Sequence, residues 1–175
     1  MIDIISIRKA TINDANDYAI ILNKSWKDTY GEYITFEHID DEFNIDKLIE
    51  GFPDYLKGEG YDLYMITKDG ENIGILELGV YDEQYKEDMT GIGEIRSFHI
   101  KKEYHKQGIG KLVLDFAINE LQNRGYSIAC LWVKKQNINA IGFYEKYGFH
   151  KTIYTTEAPA DGAPSMIMEK NIKAA

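Results

Sequence analysis

Cysteine is nearly absent. Cys130 is the single one in 175 residues, so no internal disulfide can staple the fold. It sits in the apolar run Ile128-Ala129-Cys130-Leu131-Trp132-Val133, where a thiol serves as a small buried hydrophobe rather than as a nucleophile. The four histidines, His38, His99, His105 and His150, have no metal-ligand spacing to one another or to Cys130, which predicts no metal site. No apolar run approaches the roughly 18 residues that span a bilayer, so no membrane partner is expected. Met1-Ile2-Asp3-Ile4 lacks a basic region before an apolar core, so no secretory signal and a cytoplasmic location are expected. Positive charge is also short. Lys plus Arg number 20 against 29 Asp plus Glu, for a net charge of −9. That balance argues against nucleic acid as the main partner and suits a cationic small molecule, although it also serves plain solubility.

What is present is one domain's worth of alternating pattern, with no repeat, low-complexity stretch or linker, and a single domain over 1–175 is expected. Ile4 to Arg8 alternates as a short strand. Thr11 and Asp14 mark a helix start, and Ala15, Ala19, Leu22 and Trp26 carry a helical period to about Trp26 or Lys27. Trp26 to Phe43 mixes aromatics and acids without a clean period. It reads either as an acceptor-binding wall, with Trp26, Tyr30 and Tyr33 supplying aromatic surface for a cation, or as a satellite core with an acidic outer face. Asp46 to Leu56 is helical with an interruption expected at Gly51 and Pro53. Leu63 to Thr67 and Ile73 to Val80 form a hairpin about Lys68-Asp69-Gly70-Glu71. Asn137 to Tyr147 is a helix, and His150 to Thr156 and Ser165 to Lys170 are closing strands around a turn-rich loop, Ala158 to Pro164.

The stretch Gly93 to Arg124 organises the rest. A strand, Glu94 to Ile100, enters a basic loop and then a helix that opens with Gly108-Ile109-Gly110-Lys111. Ile109, Leu112, Val113, Phe116 and Leu121 share one helix face. Gly125 ends the helix, and the apolar run from Ile128 follows as a strand buried on both faces. Strand, helix and strand in this order predict a parallel pair with a right-handed crossover. Backbone amides and the helix dipole at Gly108 to Lys111 suit a phosphate. A Walker A loop fails, because Leu112 follows Lys111 and His105 stands where the first glycine belongs. A dinucleotide fingerprint fails, because Val113 stands where the third glycine belongs. A helix terminus with no ligand remains an alternative at this point.

The wider pattern resembles the GNAT superfamily of N-acetyltransferases. The family signature Arg/Gln-x-x-Gly-x-Gly/Ala reads His105-Lys106-Gln107-Gly108-Ile109-Gly110 here, departing at His105. A second family pattern appears as Asn137, Ala140, Phe143-Tyr144-Glu145-Lys146 and Gly148-Phe149. The resemblance runs loosely from Ile7 to Lys170. It implies an α/β fold of the acyl-CoA N-acyltransferase type, a mixed central sheet with splayed parallel strands flanked by helices. It implies acetyl-CoA as co-substrate and a primary amine as acceptor, a small amine, polyamine or amino-acid-like compound being favoured. A protein N-acetyltransferase and a non-catalytic acyl-CoA-binding or regulatory module are the alternatives, and a homodimer is left open.

The resemblance also implies roles. His105, Lys106, Gln107, Gly108, Ile109, Gly110 and Lys111 would cradle the CoA pyrophosphate, with Lys101 and Lys102 adding charge. Phe98, His99 and Ile100 would pair with the pantetheine arm through their backbone. Tyr144 matches the position of the family's general acid, and Asn137 that of a side-chain contact to CoA, although simple helix capping is open to Asn137. Glu94, 14 residues before Gly108, matches the general base of some members, against the reading of an edge glutamate held by Arg96 or a lysine.

Overall fold

The computed structural model describes residues 4–81, 85–156 and 163–173. The opening Met1 to Asp3 and most of the loop expected at Ala158 to Pro164 lie outside the described residues. Seven strands form one sheet in the order β1-β2-β3-β4-β5-β7-β6. They are β1 (Ile5–Lys9), β2 (Tyr61–Lys68), β3 (Glu71–Val80), β4 (Ile92–Ile100), β5 (Ile128–Lys134), β6 (His150–Thr155) and β7 (Ser165–Asn171). Five helices accompany them: α1 (Ala15–Tyr30), α2 (Phe36–Glu42), α3 (Ile45–Tyr55), α4 (Ile109–Asn123) and α5 (Ile138–Lys146). The pairs β1–β2, β5–β7 and β6–β7 are antiparallel, and β4–β5 is parallel as the strand-helix-strand order requires.

Local chemistry explains most boundaries. At the β2–β3 hairpin Asp69 and Gly70 both adopt left-handed φ values, 50° and 87°, the pattern of a type I′ turn. α1 runs past the expected end at Lys27 to Tyr30. The turn that follows closes it, with Gly31 donating to Lys27 O and both Tyr33 and Ile34 donating to Tyr30 O. The expected interruption of α3 does not occur. Pro53 sits in its last turn, and Leu56 N still donates to Phe52 O at 3.0 Å, so the missing proline donor does not break the helix. The Thr35 and Asn44 side chains cap α2 and α3 by accepting from His38 N and Lys47 N.

Two compact units divide the chain, one of Met1–Glu77 with Ser97–Phe116, the other of Leu78–Arg96 with Ala117–Ala175. In the first, Tyr18, Ile21, Leu22, Phe52, Leu63, Met65 and Ile75 make a buried cluster between α1, α3 and the strands. In the second, Tyr81, Tyr85, Ile92, Cys130 and Ile167 do the same. Within the second unit the β4–β5 ladder pairs Ile92 with Ile128, Gly93 with Ala129 and Glu94 with Cys130, while β5 pairs along its whole length with β7. Among the described residues that parallel ladder ends at Glu94 and Cys130, and such a short ladder fits the splayed strands that the resemblance implies.

The entry to α1 is held by charge. Arg8 donates to both Asp14 carboxylate oxygens at 2.7 and 2.8 Å, and the Thr11 backbone and hydroxyl donate to Asp14 Oδ2. The Arg8 guanidinium, against an opposing effect of burial, holds the Asp14 carboxyl well below its usual 3.8. A depressed carboxyl stabilises the fold above its unfolded value and loses that contribution as pH falls through and below it. Asp14→Asn is therefore expected to cost about 2 kcal/mol at pH 7. Urea midpoints should show the gap between wild type and variant closing as the pH is lowered from 5 to about 2.

Candidate active site

The basic loop after β4 is a built structure. Lys101 N donates to Ile73 O, tying the end of β4 to β3. Tyr104 N and His105 N then donate to Lys101 O and Lys102 O, forming one 3-10 turn. The chain reverses through left-handed backbone at Lys106 (φ 60°) and Gly108 (φ 82°). Gly108 takes this conformation without strain, and a Cβ there would meet nothing within 4 Å, so the space beside it is open. Helix geometry leaves the first amides of α4, at Ile109 and Gly110, without acceptors inside the helix. The result is a run of backbone donors at the positive end of a helix dipole.

His105, the departure from the family signature, has a structural function. Its Nε2 donates to Ile100 O at 2.8 Å and clasps the end of β4 to the loop. Gln107 bridges the same loop, donating to Glu103 O at 2.9 Å and accepting from Lys68 Nζ at 3.1 Å. Of the basic side chains, Lys101 is paired with Glu71 at 2.7 Å and Lys111 with Asp115 at 2.5 Å. Lys102 and Lys106 are exposed. The backbone therefore offers the more fixed positive potential here, and the lysines supplement it.

Upstream, Phe98, His99 and Ile100 lie half-buried on β4. Gly74 on β3 permits their position, because a Cβ there would sit 2.5 Å from His99 O and 3.3 Å from Ile100 Cα. Burial pushes the His99 imidazole down to about 4, so this part of the strand is uncharged at neutral pH.

In the second unit, a Cβ on Gly93 would meet Leu121 and Tyr126, so the next residue, Glu94, points to the face away from α4. Glu94 is buried, with Arg96 Nε 3.5 Å from its carboxylate, and the sequence expectation of an arginine partner corresponds to this contact. The ladders place Glu94, Cys130, Glu169 and His150 in one row across four strands. The Glu169 carboxylate accepts from Tyr85 Oη and Lys86 Nζ, each at 2.9 Å. Burial, the Glu94 carboxylate and Glu169 raise the Cys130 thiol far above its usual range, which keeps it protonated and inert.

Asn137 caps α5, its Oδ1 accepting from Ala140 N at 3.1 Å. Tyr144, one face of α5 later, is buried with its ring 5.4 Å from Phe143 and 5.7 Å from Phe149. Gly148 ends the helix at φ 87°, and Lys170 Nζ donates to Tyr147 O. The second sequence pattern is thus a helix fixed at both ends.

The three candidate acceptor residues differ in setting. Trp26 stacks on Phe43 at 4.5 Å and packs against the first unit's core, Tyr30 lies 4.8 Å from Trp26, and Tyr33 is 56% exposed. Asp40, one of the acids of this region, is held by Lys27 and Asn23. Two polar groups escaped the sequence reading. Glu77 is buried on β3, where its only signal was a charge inside the apolar run from Ile73 to Val80. Gln136, just before the α5 cap, has a buried Oε1 without a hydrogen-bond partner. Among the described residues no group of three or more His, Cys, Asp or Glu side chains is placed to hold a metal ion, and no helix is long and apolar enough to cross a membrane.

Comparison with known proteins accords with this geometry. The model of the acetyltransferase (GNAT) family matches residues 21–149. An uncharacterized N-acetyltransferase of Lactobacillus delbrueckii subsp. lactis is 32% identical over 151 residues, 82% of this chain and 83% of that protein. The spermidine N(1)-acetyltransferase of Thermoplasma acidophilum is 28% identical over 160 residues, 83% of this chain and 88% of that protein. The crystal structure of PaiA N-acetyltransferase from T. acidophilum in complex with coenzyme A superposes with a TM-score of 0.74 at 26% identity, covering 96% of this chain and 99% of that one. With the family model spanning both the strand-loop-helix and the second pattern to Phe149, the chain belongs to the GNAT family and is an N-acetyltransferase.

Proposed function

We propose that this enzyme transfers the acetyl group of acetyl-CoA to the primary amine of a small cationic acceptor, by direct attack within a ternary complex. The observation that supports the reading most is the loop from His105 to Lys111, with left-handed backbone at Lys106 and Gly108 just before the unpaired first amides of α4. Those amides suit a pyrophosphate, the backbone of Phe98 to Ile100 suits the amides of a pantetheine arm, and Asn137 offers a side-chain contact beside its capping role. The acceptor class rests on the net charge of −9, the aromatic surface at Trp26, Tyr30 and Tyr33, and the similarity to a spermidine acetyltransferase.

An alkylammonium must lose a proton before it can attack. With a pKa near ~10.4, deprotonation at pH 7 costs about 4.6 kcal/mol. Glu94 takes that proton in this reading, directly or through a water. A backbone amide of β4 stabilises the oxyanion of the tetrahedral intermediate, and Tyr144 gives a proton to the departing thiolate. The neutral, buried thiol of Cys130 argues against an acetyl-cysteine intermediate.

Thiol release from acetyl-CoA across a panel of amines tests the function, and a protein that binds CoA without acetylating any amine would overturn it. In that assay Tyr144→Phe should lower kcat on the order of 100-fold while leaving CoA affinity within about threefold, and near-normal turnover would remove the acid role. Cys130→Ala should retain kcat within about twofold, measured on the fraction that remains folded. Loss of turnover there would point to a covalent route instead.

A further inference from the structure

The turn into α4 passes through a residue whose backbone has to be held. Lys106 is not glycine, yet its φ is 60°, a conformation that a residue with a Cβ enters only at a cost. Backbone strain of this kind persists where neighbouring contacts over-determine it. The two chain neighbours of Lys106 supply such contacts. His105 Nε2 donates to the Ile100 carbonyl, five residues back, at 2.8 Å, and Gln107 Nε2 donates to the Glu103 carbonyl, four residues back, at 2.9 Å. A carbonyl oxygen only accepts, so His105 Nε2 carries the proton, and the bond forms with the ring neutral or charged.

The His105 tie differs from the others that hold this loop. Glu71 of β3 accepts from Lys101 Nζ at 2.7 Å and from Tyr104 Oη at 3.0 Å, Lys24 of α1 stands 3.6 Å from the Glu103 carboxylate, and Lys68 of β2 donates to Gln107 Oε1 at 3.1 Å. These contacts use charged side chains at the surface, where salt and side-chain entropy leave an ion pair little net worth. The His105 bond does not depend on charge. It ends on Ile100, the last residue of β4, which lies against Gly74 of β3, where a Cβ would sit 3.3 Å from the Ile100 Cα. The imidazole thus fastens the left-handed turn to a point already fixed by the sheet. It does so with fewer rotatable bonds than a glutamine would have to fix, so less rotamer freedom is lost.

We propose that His105 is a positioning residue for the donor: through the Ile100 carbonyl it holds the loop in the turn that presents the first α4 amides, and so sets the affinity for the diphosphate of acetyl-CoA. The inference rests on the acetyl-CoA reading above and adds to it a role for the residue at which the chain departs from the family signature. The imidazole itself takes no part in acetyl transfer.

Calorimetry with CoA tests it, together with initial rates on the best amine of the panel, using acetyl-CoA and S-acetylpantetheine, a donor that lacks the diphosphate. His105→Phe keeps a ring and removes the hydrogen-bond donor, and His105→Gln restores a donor of similar reach. His105→Phe should weaken CoA binding and raise the acetyl-CoA KM about 10-fold, equivalent to about 1.4 kcal/mol, with kcat at saturating acetyl-CoA changed by less than about threefold. Its kcat/KM for S-acetylpantetheine should stay within about twofold of wild type. His105→Gln should recover most of the CoA affinity. A folded His105→Phe protein that binds CoA as wild type does overturns the positioning role. So does an equal loss with both donors, or a His105→Gln protein as impaired as His105→Phe. If His105→Phe does not fold, His105→Ala carries the same comparison. Wild type that binds CoA but acetylates no amine overturns the functional reading alone, and the calorimetric comparison of the variants still decides this inference. Wild type that binds no CoA overturns both.

Discussion

Amides at the start of a helix converge on an anion only if the preceding chain turns sharply enough to present them. Here the turn is made by left-handed backbone at Lys106 and Gly108. It is held by the His105 ring on Ile100 O and by Gln107 on Glu103 O. Much of the first unit supports this point. Gly74 lets β3 lie against the backbone of His99 and Ile100, and Lys101 N closes onto Ile73 O. An exposed lysine cluster would give a weaker and more mobile potential, and two of the four basic side chains are already engaged with carboxylates.

In the second unit a hydroxyl and a carboxylate, those of Tyr144 and Glu94, are held with little freedom. α5 is capped by Asn137 at one end and by Lys170 on Tyr147 O at the other, so Tyr144 is carried on a rigid element. Glu94 is fixed on β4 by its pairing opposite Cys130 and by Arg96. The same row keeps Cys130 as an inert thiol, which is consistent with a route in which the amine attacks the thioester directly.

Much of this was legible in the sequence because it rests on local rules. The α4 period, Gly125 and Gly148 as helix stops, the Asp69-Gly70 turn and the Asn137 cap all follow from backbone preferences of single residues. Pro53 misled because the helix continues through it, with Leu56 N beyond the ring still finding Phe52 O. The end of α1 was misplaced because the Gly31 closure lies beyond the apolar period. His105 looked like a weakened signature, and only the contact with Ile100 O shows why it suits the loop. Glu77 was hidden in an apolar run, since its partners Tyr55 and Ser97 lie 22 and 20 residues away in sequence. Contacts of that kind carry no sequence period.

The central claim is that the His105 to Lys111 loop is a pyrophosphate cradle. A crystal structure of the enzyme grown with CoA addresses it most directly. The account predicts pyrophosphate oxygens within about 3 Å of the Ile109 and Gly110 amide nitrogens. Pyrophosphate density away from this loop, with those amides facing only solvent, would contradict it.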